Sequence, residues 1–251
     1  MPEGHTIHRH AKNHNTWFKG QIVHVSSPQG RFEDGASYVT EHRFLKAEAW
    51  GKHLFHYYEG DEAEPLVVHI HLGLYGRFRM YRSVTQVERG AIRQRIVGKA
   101  RTLDLHGPTC CEVLTERNAR RKMATLGPDP LRPECTVEDF IAKMKRTRRA
   151  IGAVLLDQSM VAGIGNVYRA ELLLHHGLHP TRPANTLPEH TLAQLWDTTS
   201  EWLALGVRYN RIITTTPDET GVSFGRMRAH QRVRIYKRRS CRRCDGPVDI
   251  M

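Results

Sequence analysis

The sequence predicts an α+β fold made of two unlike halves, and three observations carry that expectation. Between residues 21 and 105, short runs of β-formers recur with Gly and Pro between them, the pattern of an antiparallel sandwich or flattened barrel. Between residues 150 and 203, apolar residues recur at helical spacing instead. Separating the two is Leu126-Gly127-Pro128-Asp129-Pro130, where a glycine and two prolines interrupt either period.

Each element follows from local pattern. A helix over residues 3–18 places Ile7, Ala11, His14 and Phe18 on one face and stops before Gly20. Ile22–Val25, Leu66–Leu72 and Arg77–Arg82 read as strands; in the last, Phe78 and Met80 face inward while Arg77 and Arg79 face out. Pro28-Gln29-Gly30, Glu59-Gly60-Asp61, Gly73, Gly76 and Gly107-Pro108 supply the turns. In the second half, helices over 150–157 and 166–176 flank the turn Ser159–Gly165, and Gly177 suits the left-handed position after the second of them. Thr186-Leu187-Pro188-Glu189 resembles a capping box opening a third helix, with Leu192, Leu195, Trp196, Thr199 and Leu203 on one face. Residues 214–225 read as a mobile loop.

A chain of 251 residues that is 39% hydrophobic can build one large core or two smaller ones. Lys and Arg number 38 against 26 Asp and Glu, for a net charge of +12. That excess calls for a polyanionic partner. No apolar run approaches the roughly 20 residues of a membrane span, and the N-terminus has no signal-peptide apolar region. With no basic amphipathic helix bearing exposed aromatics, nucleic acid is the expected partner and a membrane is not. The charge is clustered: Lys143, Lys145, Arg146, Arg148 and Arg149 lie together, and residues 226–244 hold nine Lys or Arg and no acid. Such clusters beside a helix–turn–helix unit suit phosphates on a duplex. Five cysteines without secretory context read as reduced thiols of a cytoplasmic protein, with Cys110-Cys111 as packing residues.

The candidate chemistry begins at Met1-Pro2-Glu3-Gly4. Removal of Met1 would leave Pro2 as a secondary amine that can add to an aldehyde-like carbon and lose water to form an iminium ion. An α-amino group has a reference pKa of about 7.7–8.0, against about 10.4 for lysine, so it is a usable nucleophile near neutrality. Glu3 beside it can move the proton. Farther on, Gly163 and Gly165 let backbone approach a phosphate, and Asn166 opens a helix whose N-terminus favours anions or is itself a plain cap. Leu74-Tyr75, between glycines, is an apolar wedge candidate for a gap in a base stack or a closure of the sandwich edge. His53, His56, His69 and His71 invite a metal reading, with His69 and His71 on one strand face, but no carboxylate stands nearby in sequence, and iminium chemistry needs none, so no catalytic metal is expected.

Three separated motifs then converge: Met1-Pro2-Glu3-Gly4-His5-Thr6, Gly51-Lys52-His53-Leu54-Phe55, and Asp157-Gln158 with Ala162-Gly163-Ile164-Gly165-Asn166-Val167-Tyr168. With Leu126–Leu131 between them, they resemble the formamidopyrimidine-DNA glycosylase and endonuclease VIII family of base-excision repair enzymes over essentially the whole chain. Gly4 after Pro-Glu looks more like the endonuclease VIII branch, in its actinobacterial form. The resemblance implies an N-terminal helix on a two-layer antiparallel β-sandwich (1–125, catalytic), a helix–two-turn–helix DNA-binding domain (126–216), and a mobile loop with an incomplete zinc-finger β-hairpin (217–251), with DNA in the cleft between the halves. It makes Pro2 the nucleophile at C1′ of a damaged nucleotide, Glu3 the acid that helps open the sugar, and Lys52 the phosphate-binding proton donor of β-elimination. Asn166 and, by a weaker match, Arg148 would hold DNA phosphate. Leu74 and Tyr75 would fill the vacancy left by a flipped base; Gly73 stands where endonuclease VIII members often carry Gln.

The family's finger uses two Cys-x2-Cys pairs for structural zinc. This sequence has one, Cys241-Arg242-Arg243-Cys244, and two ligands cannot close a tetrahedral shell. The expectation is half a zinc site and no δ-elimination, whose arginine lies on the hairpin not seen here. The implied activity is a DNA glycosylase with AP lyase activity on double-stranded DNA with oxidised pyrimidines, acting as a monomer. Oxidised purines as substrate, or damaged-DNA binding without catalysis, remain alternatives.

Overall fold

The computed structural model describes residues 2–60, 64–85, 87–241 and 244–248. Met1, Asp61 of the expected 59–61 turn, and Arg242 and Arg243 between the two late cysteines lie outside the described residues. The chain divides into two compact units: residues 1–2 with 7–125, and residues 3–6 with 126–251.

The first unit starts with most of helix α1 (Gly4–Phe18), followed by β1 (Ile22–Ser26), α2 (Glu33–Val39), β2 (His42–Trp50), β3 (His53–Tyr58), β4 (Leu66–His71), β5 (Arg77–Tyr81), β6 (Ile92–Val97), β7 (Thr102–His106), β8 (Cys110–Thr115) and α3 (Glu116–Ala124). The strands form one antiparallel ladder in the order β5-β7-β6-β1-β2-β3-β4-β8. β1 meets β2 through only two residue pairs, Ile22 with Arg43 and Val23 with His42. Its other end joins β6 through His24–Ser26. β1 is therefore the corner at which the ladder folds over. One apolar cluster joins Ile96, Leu103 and Leu105 of the β6–β7 side to Leu54, Val68 and Ile70 of the β3–β4 side, with Ile7, Ala11 and Phe18 of α1 included. This is a two-layer sandwich with the helix closing its core. The expected apolar face of α1 is buried, His14 included at 0% exposure.

The second unit packs α4 (Val137–Lys145), α5 (Ile151–Val154), α6 (Asn166–His175), α7 (Glu189–Tyr209) and α8 (Pro217–Thr220). Its core joins Phe140 and Met144 of α4, Ile151 and Val154 of α5, Tyr168 and Leu172 of α6, and Leu192, Leu195, Trp196 and Leu203 of α7. Thr136 caps α4 by accepting from the Asp139 amide. Gly177, at φ +60°, follows α6 in the left-handed conformation.

Three local expectations are corrected. The helix over 150–157 shrinks to Ile151–Val154. The capping box at Thr186 does not form: the Thr186 hydroxyl donates to Pro183 O at 2.8 Å, closing a 3-10 turn, and α7 is preceded by Pro188 with no side-chain cap. The loop 214–225 contains α8, opened by Thr216 accepting from the Glu219 amide at 3.3 Å.

Candidate active site

Glu3, Gly4 and the turn before α6 form one closely fitted group inside the second unit. Glu3 is 0% exposed. Its Oε2 accepts from the Gly165 amide at 2.8 Å and its Oε1 from the Val167 amide at 3.0 Å. A carboxylate therefore occupies the N-terminus of α6, where free amides and the helix dipole favour negative charge. The Gly4 amide donates to Gly163 O at 2.8 Å. A Cβ on Gly4 would lie 2.7 Å from Gly163 Cα, and one on Gly165 would lie 2.5 Å from Glu3 Cδ. Gly165, one of the two glycines the sequence offered to a phosphate, is thus required for the approach of Glu3, and Gly4 for the approach to Gly163. Gln158 holds the same turn: its side-chain amide donates to Leu156 O and Ile164 O at 2.8 and 3.0 Å and accepts from the Gly163 amide at 3.0 Å. Pro2, joined covalently to Glu3, is half-buried.

Asn166 is the first residue of α6, and Gly165 holds the capping position without a side-chain bond. The Asn166 side chain is half-buried and is not used as a cap, so the plain-cap alternative is not what the fold builds. Arg148 is exposed in the connection between α4 and α5, without a carboxylate partner among the described residues. Beside it, Arg149 pairs with Asp157 at 2.6 Å. Hydrogen bonds from Ser159 and Arg149 hold the Asp157 carboxyl down at about 2.

In the first unit, Gly51 and Lys52 are the two turn residues between β2 and β3, flanked by the pair Trp50 and His53. Gly51 has φ +55°, which a glycine-first hairpin turn demands. Lys52 is thereby fixed at a hairpin tip, half-buried. Leu74 and Tyr75 sit on a second turn, closed by the Gly76 amide on Leu72 O at 2.9 Å and by Gly73 at φ +65°. They stand 60% and 81% exposed, among the most exposed large apolar side chains described.

The histidines are corrected in one respect. His69 does have a carboxylate partner: Nδ1 meets Glu112 Oε1 at 2.9 Å across the β4–β8 ladder, where the two residues are directly opposite. His69 Nε2 meets His53 Nδ1 at 2.9 Å, and the two rings stack. With His69 Nδ1–H donating to Glu112, His69 Nε2 accepts from His53 Nδ1–H, and His53 keeps an unprotonated Nε2. Burial, with His69, His71, Lys122 and Lys52 nearby, brings His53 down to about 3. Cys110 is not mere packing: its sulfur lies 3.5 Å from His69 Nδ1. His69, Cys110 and Glu112 are close enough to share a cation, but the Lys122 ammonium, 3.9 Å from Glu112, already brings positive charge there.

Two second-unit features escaped sequence reading. Glu171, 0% exposed, accepts from the Arg234, Ile235 and Tyr236 amides at 2.8, 2.8 and 2.9 Å and from the Thr214 hydroxyl at 2.9 Å. It ties residues 234–236 of the basic stretch to α6. Arg234 then pairs with Glu219 of α8. The only available signal was an acid on the apolar face of a helix, five residues after Asn166. Cys241 is buried and Cys244 exposed on a small turn in which Cys241 N bonds Gly246 O at 2.8 Å. Among the described residues they join no group of three or more metal ligands, so the residues present do not fit a closed zinc shell. Also among the described residues, no helix is long and apolar enough to cross a membrane.

The family model for the formamidopyrimidine-DNA glycosylase N-terminal domain matches residues 1–121, and that for the H2TH domain of the same glycosylase matches residues 126–218. Endonuclease 8 1 of Mycobacterium tuberculosis is 40% identical over 99% of this chain and 93% of its own length. Formamidopyrimidine-DNA glycosylase of Herpetosiphon aurantiacus is 27% identical over 91% of this chain and 82% of its own. Among solved structures, Lactococcus lactis Fpg in complex with DNA containing an abasic site superposes with a TM-score of 0.78 at 19% identity, over 98% of this chain and 92% of that one, a likeness of fold. Two adjoining domain models and a full-length relative at 40% identity place this chain in the formamidopyrimidine-DNA glycosylase family.

Proposed function

We infer that this chain is a base-excision repair DNA glycosylase with AP lyase activity, that Pro2 is its nucleophile, and that oxidised pyrimidines are its preferred lesions. The glycosylase and lyase class follows from family membership. The observation that carries the residue assignment is the burial of Glu3 against the Gly165 and Val167 amides, covalently next to Pro2. It gives the imine-forming nitrogen an acid–base group that cannot swing away.

The chemistry runs on the chain's own groups. The Pro2 nitrogen, freed by removal of Met1, attacks C1′; the C1′–base bond breaks and the base leaves with the electron pair and takes up a proton from water. The Glu3 carboxylate takes the proton shed by the Pro2 nitrogen and passes it to the sugar ring oxygen as the ring opens, leaving an iminium between Pro2 and C1′. That cation acidifies C2′. Loss of the C2′ proton forms C2′=C3′, and the 3′ phosphate departs with the C3′–O pair. Lys52, at its hairpin tip, holds phosphate and donates the proton the departure requires. Asn166 and Arg148 hold phosphates of the duplex, and Leu74 and Tyr75 enter the stack where the base leaves.

The pyrimidine preference rests on Gly4 and on the full-length likeness to Endonuclease 8 1. It is tested by single-turnover excision from duplexes carrying thymine glycol or 8-oxoguanine. Faster release of thymine glycol is expected. Faster release of 8-oxoguanine would reverse the lesion assignment, and release of neither would leave a DNA-binding protein without glycosylase activity.

A further inference from the structure

The first unit contains a strongly basic cavity that this chemistry does not use. Its volume is about 380 Å³, and its lining includes Tyr75, Arg77, Arg79, Arg89, His106 and Gly107, with no acid. Arg77 and Arg79 lie on the outward face of the edge strand β5, and Arg77 is directly opposite His106 on β7. All three arginines are exposed, and none has a carboxylate partner among the described residues. The acids that would neutralise them are held elsewhere. Asp104, opposite Arg79, takes two hydrogen bonds from Arg95 at 2.7 and 2.8 Å. Glu88, next to Arg89, lies 3.7 Å from the same guanidinium. Three like charges around one concavity repel each other, and the fold leaves that repulsion uncompensated.

His106 supplies an independent sign of a ligand. It is 7% exposed, and its Nδ1 donates to Ala91 O at 3.2 Å. Its Nε2 is buried and has no partner. A buried, unmatched ring nitrogen on the wall of an arginine-lined cavity is unfavourable until a ligand brings an oxygen and Nε2 takes up the proton it donates to it.

We propose that this cavity binds a backbone phosphodiester of DNA, gripped by Arg77, Arg79 and Arg89 and by His106 Nε2 as a proton donor, with the exposed ring of Tyr75 against the adjoining nucleotide. The inference rests on the DNA reading above and adds to it a phosphate subsite beside the Leu74–Tyr75 turn.

Proton linkage follows. Burial, together with Arg79 and Arg77, lowers the pKa of His106, opposed by the Ala91 carbonyl and Asp104. The empty site thus holds a neutral ring. A bound diester offsets the arginines and favours the charged ring, so binding takes up a proton and strengthens as pH falls.

The test uses the full chain and two probes. Thymidylyl-thymidine carries one diester charge that does not titrate between pH 5.5 and 7.5; an undamaged duplex reports the salt slope. Diester affinity should rise about three- to tenfold between pH 7.5 and 5.5 in wild type, and should stay flat in His106→Gln. The double variant Arg77→Ala/Arg79→Ala should lose diester binding and flatten the duplex salt slope by about one unit. Arg121→Ala, which removes a like charge from α3, serves as the control and should leave the slope unchanged. An unchanged slope in the double variant, or pH-independent diester binding in wild type, overturns the inference. So does inorganic phosphate binding tightly at the arginines without any effect on the duplex slope, which would mark a site for free anions. A wild type that binds no duplex at all sinks the DNA reading instead.

Discussion

Buried polar side chains differ in kind between the two units. In the first, many are imidazoles: His14 and His56 meet at 2.9 Å within the core, and His69 is enclosed between His53 and Glu112. In the second, beside His5, Arg234 and three threonines, they include three carboxylates that accept backbone amides: Glu3 at α6, Glu171 at residues 234–236, and Asp129 on the Leu131 amide at 2.9 Å. The first unit also buries the Arg95–Asp104 pair, Gln94 and Thr102. An imidazole buried neutral is a liability in acid, because its protonation strands a charge in the core. The contrast also separates tasks. The carboxylates fix backbone, Glu3 among them at the start of α6, and the imidazoles fill the interior of the unit that carries the Gly51–Lys52 and Leu74–Tyr75 turns.

The largest expected effect is on Glu3. Glu3→Gln keeps the size but sets a side-chain NH2 against an amide donor and removes the acid. Single-turnover excision should fall at least about 100-fold; a loss of less than threefold would mean that the second unit's carboxylate only positions α6. Next is Glu171→Ala, which takes the acceptor from the Arg234, Ile235 and Tyr236 amides. It should destabilise the second unit by about 3–5 kcal/mol, read by urea unfolding, with residues 234–236 the first to lose hydrogen-exchange protection. Retained protection there would show that the segment is held otherwise.

Acid should divide the units. Burial lowers His56 to about 3, His53 to about 3 and His10 to about 4, and His14 well below the usual imidazole range. Each folded pKa lies below the unfolded value of about 6.5, so the unfolded chain binds the extra protons. The stability these groups contribute is complete above pH 6.5 and is lost as pH falls towards 3. For His53 and His56 the loss is about 2 kcal/mol each at pH 5. The second unit offers His176 in the same direction, but its Asp157, held at about 2, loses its contribution only below pH 4. Hydrogen exchange at pH 5 should show the first unit opening while the second stays protected; equal opening would erase the distinction. The smallest structural effect belongs to Tyr75→Ala. At 81% exposure it should leave the melting temperature within about 1 °C, yet slow excision about tenfold by removing half of the wedge. Unchanged excision would assign the turn to the sandwich edge alone.

Much of this fold was legible because its signals are local. The face of α1, the strands beginning at Ile22, Leu66 and Arg77, and the turn at Gly73 and Gly76 each declare themselves within a few residues. What could not be read depends on partners far along the chain. Glu112 is 43 residues from His69, and Glu171 binds amides 63 to 65 residues away. Helix α2, of seven residues with a glycine inside it, has too little period to see. The misread cap at Thr186 failed because its hydroxyl found the nearer Pro183 carbonyl. At the site, the adjacency of Pro2 and Glu3 was plain in the sequence, but that Glu3 would claim the α6 amides was not.

The central claim is that the Pro2 nitrogen itself bonds to the sugar. Borohydride reduction of the processed protein with DNA bearing an abasic site, followed by peptide mapping of the adduct, tests it most directly. The account predicts a single modified peptide with deoxyribose on the Pro2 nitrogen, and no adduct when Met1 is retained. An adduct on Lys52, or equal trapping with Met1 in place, would contradict it.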